Sequence, residues 1–75
     1  MYVLSQDKKQ LINCESQKFV GFQIIKEIGR KGTYNINLID GMCMLGKYEE
    51  EKQAILELQR LLEAIKNEEK CYEMH

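Results

Sequence analysis

The chain has 75 residues, 44% hydrophobic and 31% charged, with no proline and no tryptophan, a length that fits one domain spanning 1–75. A domain this small buries only about 60% of the surface its unfolded chain exposes, so a deep catalytic cavity would compete with the core for side chains, and no enzyme is expected. Eleven basic against twelve acidic residues leave a formal charge of −1, which counts against a generic DNA-coating protein whose affinity comes from net phosphate neutralisation.

Residues 1 to 48 hold all five glycines and both phenylalanines, in short apolar runs parted by polar clusters. That pattern predicts strands and turns. Met1 to Ser5 and Gln10 to Cys14 flank Gln6-Asp7-Lys8-Lys9, a polar segment suited to a hairpin turn. Glu15-Ser16-Gln17 makes the next turn, and Lys18 to Ile28 is a third strand, with a bulge expected at the adjacent Ile24 and Ile25. Gly29-Arg30-Lys31-Gly32 turns the chain into Thr33 to Ile39, whose period-two alternation marks a fourth strand. Asp40-Gly41 is a type I′ turn dipeptide, and Met42 to Gly46 returns as a fifth. From Glu50 onward the period changes. Ala54, Ile55, Leu58, Leu61, Leu62 and Ile65 recur at spacings of three and four, which predicts a helix over residues 51 to 68. Glu57 with Arg60 and Glu63 with Lys66 are i,i+3 pairs on its charged side. Three glutamates at its start suit the helix dipole, although Glu50 is a poorer N-cap than Ser or Asp. The closing Cys71-Tyr72-Glu73-Met74-His75 alternates as a short edge strand would, placed beside strand 1 or against a second copy.

The expected fold class is α+β: a five-stranded antiparallel meander packed on one helix. One helix covers one sheet face. Phe19, Ile25, Ile39, Leu45 and Ile12 would then oppose Phe22, Ile36, Leu38 and Met44, leaving both faces partly apolar. Curling into a half-barrel buries the second set, and so does a homodimer.

Alternate turns of a meander lie at one end, which sorts the charges. Lys8, Lys9, Arg30, Lys31 and Lys47, with Tyr34 and Tyr48 nearby, form a basic rim there, while Glu15 and Asp40 fall at the other end. Such a rim offers Arg and Lys to an anion and tyrosine rings for stacking, and the helix start favours anions too. As ordinary turn residues the same lysines would merely be solvated, partly neutralised by Asp7 and by Glu49, Glu50 and Glu51. Cys14, Cys43, Cys71 and His75 include zinc-ligand types but lack CxxC or HxxxH spacing, so no metal or other cofactor is expected. A cysteine nucleophile would need His75, the only histidine, as its base. Met42 and Met44 read as core fillers, and Asn35 and Asn37 as a polar row on the exposed side of strand 4. Three cysteines without a CxxC pair fit a reduced compartment. The polar MYVLSQDKK start is too short for a signal peptide and no apolar run nears the ~18 residues of a membrane span, so the expected location is cytoplasmic.

Leu4-Ser5-Gln6-Asp7-Lys8-Lys9 followed by Leu11 and Asn13, then Leu45-Gly46-Lys47-Tyr48 before an acidic turn, Ala54 in an Ile/Leu helix, and Tyr72-Glu73-Met74 at the close, resemble small proteins encoded in phages and prophages of low-GC Gram-positive bacteria. That family usually carries Ser or Thr near Glu50, and this sequence departs there. The resemblance implies a mobile-element, cytoplasmic and accessory setting, and carries over no catalytic residue. The functional expectation is a non-catalytic accessory binding protein, an anti-defence factor that blocks a host protein or sequesters a small anionic ligand. Its alternatives are a single-stranded nucleic-acid-binding module, with Tyr34, Phe19 or Phe22 as stacking platforms, and a structural component of a phage assembly.

Overall fold

In the first hairpin, β1 (Tyr2–Leu4) pairs antiparallel with β2 (Leu11–Asn13), Val3 opposite Ile12. Its turn is held by side chains standing in for backbone. The Ser5 hydroxyl donates to Asp7 Oδ1 at 2.6 Å while Ser5 Oγ accepts the Gln10 N–H at 3.0 Å, and Asp7 Oδ1 also accepts the Lys9 N–H at 3.0 Å. These short polar side chains favour turns for that reason. The bonds hold the Asp7 carboxyl below its ordinary pKa, the Ser5 hydroxyl contributing most, and Lys8 adopts a left-handed φ of 65°. A computed structural model describes residues 1–29, 32–39 and 43–75 of the chain. Arg30, Lys31 and the Asp40-Gly41-Met42 segment, which carry the tips of two expected turns, lie outside the described residues.

The third strand is shorter than its apolar run. The Phe19 N–H bonds to the Ser16 carbonyl at 3.0 Å, which turns residues 16–19 back on themselves, and β3 covers only Phe22–Lys26. It pairs with β4 (Tyr34–Leu38) in unbroken register, Ile24 opposite Ile36 and Ile25 opposite Asn35. The bulge expected at Ile24-Ile25 is therefore not there. It sits one strand later, in β5 (Met44–Tyr48), where Ile36 faces Gly46 and Asn37 faces Met44, so Leu45 is the extra residue. A bulge shifts side-chain parity. Leu45 consequently joins Ile36 in the core while Met44 stands exposed, the reverse of the alternation-based assignment and of the core role expected for Met44.

The five strands do not form one meander. β3-β4-β5 is an antiparallel sheet, and β2-β1-β6 is a separate mixed one, because β6 (Cys71–Glu73) pairs parallel with β1, Val3 opposite Tyr72. The turn at 16–19 carries the chain away from β2 before β3 starts, and β6 takes the free edge of β1. Of the two placements foreseen for the closing segment, the one beside strand 1 is present.

Helix α1 runs Glu51–Lys66, two residues shorter than its periodicity suggested. The Gln53 side chain reaches back to accept the Glu50 N–H at 3.2 Å, supplying from N3 part of the cap that Glu50 was expected to lack. At the other end the Glu69 N–H meets the Ala64 carbonyl and the Glu68 N–H the Ile65 carbonyl. That pair is a Schellman ending, with Glu68 at φ 54° in the position glycine usually takes. It aims the chain at β1.

The helix packs on β4 and β5. Val3, Ile36, Leu45, Ala54, Leu61 and Met74 make the core. Ala54, Glu57, Leu61 and Ala64 point inward, whereas Ile55, Leu62 and Ile65 are 40%, 48% and 50% exposed. The apolar stripe expected from periodicity is thus only partly the buried one. The sheet face away from the helix carries Ile25, Asn35, Asn37, Met44 and Lys47 by register. Both asparagines lie there as expected, half-buried, and their Oδ1 atoms are enclosed without a hydrogen-bond partner among the described residues. No helix among the described residues is long and apolar enough to cross a membrane.

A candidate binding rim around His75

The feature that the apolar pattern does not show is Glu57, which is 1% exposed and is the acidic member of the buried set among the described residues. A carboxylate out of water needs donors around it. Tyr72 donates its hydroxyl to Glu57 Oε2 at 2.9 Å, the His75 main-chain N–H donates to the same oxygen at 2.8 Å, and Arg60 Nη1 lies 3.4 Å from Oε1. His75 Nδ1 stands 3.2 Å from Oε1 and 3.1 Å from the Tyr72 hydroxyl. The i,i+3 pair of Glu57 and Arg60 exists, but one of its partners is inside the protein.

From Glu57 the network runs to the surface. The main-chain oxygen of His75 accepts the Tyr48 hydroxyl at 2.9 Å and the Gln6 side-chain amide at 3.1 Å. Gln6 in turn accepts the Lys47 N–H at 2.8 Å and donates its own N–H to the Leu45 carbonyl at 2.7 Å. One glutamine therefore ties the β1–β2 turn to β5 and to the segment after β6. Gly46 permits this arrangement, since a Cβ there would stand 2.6 Å from the Tyr48 hydroxyl. The result is an open depression of about 380 Å³, lined by Gln6, Lys47, Tyr48, Arg60 and His75, with Glu49 and Glu57 contributing acidic atoms.

The residues singled out from sequence are distributed as follows. Tyr48 is in the rim, and Lys47 borders it through its main-chain N–H while its side chain belongs by register to the opposite sheet face. Lys8 and Lys9 are exposed in the adjoining β1–β2 turn, which Gln6 anchors. Tyr34 pairs with Tyr48 across β4 and β5 but lines a different hollow, beside Lys26, Glu49, Glu50 and Glu51, with Lys26 Nζ 5.9 Å from its ring centre. Arg30 and Lys31 lie outside the described residues. Lys47 is partly neutralised, its Nζ 3.5 Å from Glu27 Oε2. The Thr33 hydroxyl first and the Lys47 ammonium second hold the Glu27 carboxyl below its ordinary pKa. Gln6, Glu57, Arg60 and His75 were missed as a group. For Glu57 a signal existed, since it falls three residues after Ala54 and four before Leu61.

Cys14 is half-buried and its thiol pKa is raised by that burial, Cys43 is half-buried and donates to Gln10 Oε1, and Cys71 is exposed. No three His, Cys, Asp or Glu side chains are grouped to hold a metal ion among the described residues.

Burial, and then the negative charge of Glu57, pushes the Tyr48 hydroxyl up to about 12. Tyr72 is raised further, by burial first and then by its bond to Glu57. A tyrosine unfolds into water with a pKa near 10. Between about pH 10 and 12 the unfolded chain therefore loses protons that the native protein keeps, and stability falls as pH rises through that window. Denaturant midpoints measured from pH 8 to 12 are expected to decline above about pH 10, and less steeply in Tyr72→Phe than in the parent chain. Equal slopes in the two proteins would contradict the raised value.

Compared with protein-family models, with curated proteins and with solved structures, the chain matches none.

Proposed function

We propose that this chain is a non-catalytic accessory binding protein, which sets the rim of Gln6, Tyr48, Arg60 and His75, with Lys8 and Lys9 of the adjoining turn, against an acidic surface of a partner protein. The observation that supports it is the state of Glu57. Acid–base chemistry needs a carboxylate with a free lone pair facing substrate, and the oxygens of Glu57 instead hold Tyr72, the His75 N–H and Arg60. Those bonds fix the rim's shape, so its exposed groups are presented in a set geometry. An open depression flanked by Lys8 and Lys9 suits an extended acidic segment better than an enclosed small molecule. The phage or prophage setting, and with it a role in blocking a host defence protein, rests on the resemblance described above.

Amide chemical shifts of the ¹⁵N-labelled chain test this with three probes: an oligoglutamate peptide, inorganic phosphate and a single-stranded oligonucleotide. Movement of the Lys8, Lys9, Lys47, Tyr48 and Arg60 amides with the peptide, lost in a Lys9→Glu, Arg60→Glu double variant, is the expected result. A response to phosphate alone would favour a small anionic ligand, and a salt-dependent response to the oligonucleotide alone the nucleic-acid reading. Silence with all three would overturn the rim as a binding site.

A further inference from the structure

Two stripes of identical spacing run side by side along α1, offset by one residue and so by about 100° of rotation. Ala54, Glu57, Leu61 and Ala64 face the core. Of the next stripe, Ile55, Leu62 and Ile65 are exposed, while Leu58 is half-buried and packs against the edge of the core. The outer stripe is the more apolar of the two, and with Phe22, Gln59 and Leu61 it lines an open groove of about 340 Å³. Four large aliphatic side chains at helical spacing on a solvent-facing helix call for a cover.

We infer that the cover is the same stripe of a second copy, packed antiparallel across a two-fold axis. The order of residues supports this occupant. Isoleucine, leucine, leucine, isoleucine at steps of three, four and three reads identically in both directions. A two-fold contact requires a surface that complements itself, residue i meeting j while j meets i. Here Ile55 meets Ile65 of the other copy and Leu58 meets Leu62, so every pair joins unlike positions of matching size. The bordering charges choose the direction. In that register Lys52 faces the other copy's Glu68, and Lys66 lies within a turn of its Glu51, all of them exposed. Parallel packing would set Glu51 against Glu51, Lys66 against Lys66, and like helix poles together. The seam lies on a different face from the His75 rim, so it stands or falls independently of the proposed function.

One helix face is small beside the ~800 Å² per partner of a standard interface, which puts the expected dissociation constant in the region of 10 µM. Sedimentation equilibrium of the 75-residue chain is expected to show twice 8.9 kDa at about 200 µM. In Leu62→Glu, association should weaken at least about tenfold, with the helical circular dichroism of the monomer retained because Leu62 is exposed. A monomeric parent chain at that concentration would overturn the inference, and so would a Leu62→Glu protein that dimerises as tightly as the parent. The register has its own test. Ile55→Glu and Ile65→Lys both replace exposed residues with good helix formers, and each alone should be monomeric. Mixed in equal amounts they should form heterodimers, because position 55 meets position 65 only in the antiparallel seam. A mixture that stays monomeric would overturn that arrangement.

Discussion

Glu57→Ala is expected to lower the unfolding free energy by about 3 kcal/mol and to loosen β6 from β1. Removing the carboxylate strips an acceptor from the Tyr72 hydroxyl and from the His75 N–H at once, and leaves Arg60 without its anionic neighbour. The His75 N–H then loses its acceptor, and the Tyr72 hydroxyl keeps only His75 Nδ1 at 3.1 Å; leaving a donor unpaired costs more than its bond was worth on balance. The damage should spread along a defined path. Met74, buried in the core and bonded through its N–H to the Leu4 carbonyl at 3.0 Å, lies between Tyr72 and His75. Urea denaturation measures the total, and hydrogen exchange of the Tyr72 and Met74 amides measures the local opening. Glu57→Gln retains one carbonyl acceptor and should fall between the parent and the alanine variant. A loss under about 0.5 kcal/mol in Glu57→Ala would mean that the network does not hold the segment.

Two adjacent leucines give the second large effect. Leu61→Ala should destabilise the chain by about 3 kcal/mol, since the side chain is 1% exposed among Ile36, Leu45 and Val3 and its removal leaves a cavity. Leu62→Ala, measured at about 1 µM where the proposed dimer is dissociated, should change stability by less than about 0.5 kcal/mol, because Leu62 is 48% exposed. Periodicity alone assigns both residues to one stripe and predicts comparable losses. Thermal or urea unfolding of the two variants side by side reads the rotation of α1 directly, and equal losses would place the helix differently.

How far the chain could be read in advance follows from how local each feature is. The β1–β2 hairpin rests on Ser5 and Asp7 bonding within five residues, and the β3–β4–β5 hairpins on alternation interrupted by turns. The helix rests on a period of 3.6 sustained over four turns. Lys47 and Tyr48 are read as the exit of the fifth strand, and they are the last two residues of β5. The boundary of β3 was not legible, because the Phe19 N–H to Ser16 bond competes with extension and apolar composition does not distinguish the two. The bulge was sought at two adjacent isoleucines, but β4 and β5 must place both Leu45 and Gly46 inside, and that requirement comes from Tyr48 lying over Gly46.

Composition, hairpins and the amphipathic helix were thus set by neighbours along the chain, through turn chemistry and side-chain period. The division into two sheets, the parallel seat of β6 on β1, the burial of Glu57 and the resulting His75 rim depended on contacts between residues far apart in sequence, such as Gln6 with His75 and Tyr48 with His75. The rotation of α1 belongs with these. Two stripes of equal spacing lie one residue apart on the helix, and local period cannot choose between them. Packing against Ile36 and Leu45, with donors waiting for Glu57, turned the less apolar stripe inward and left the more apolar one facing out.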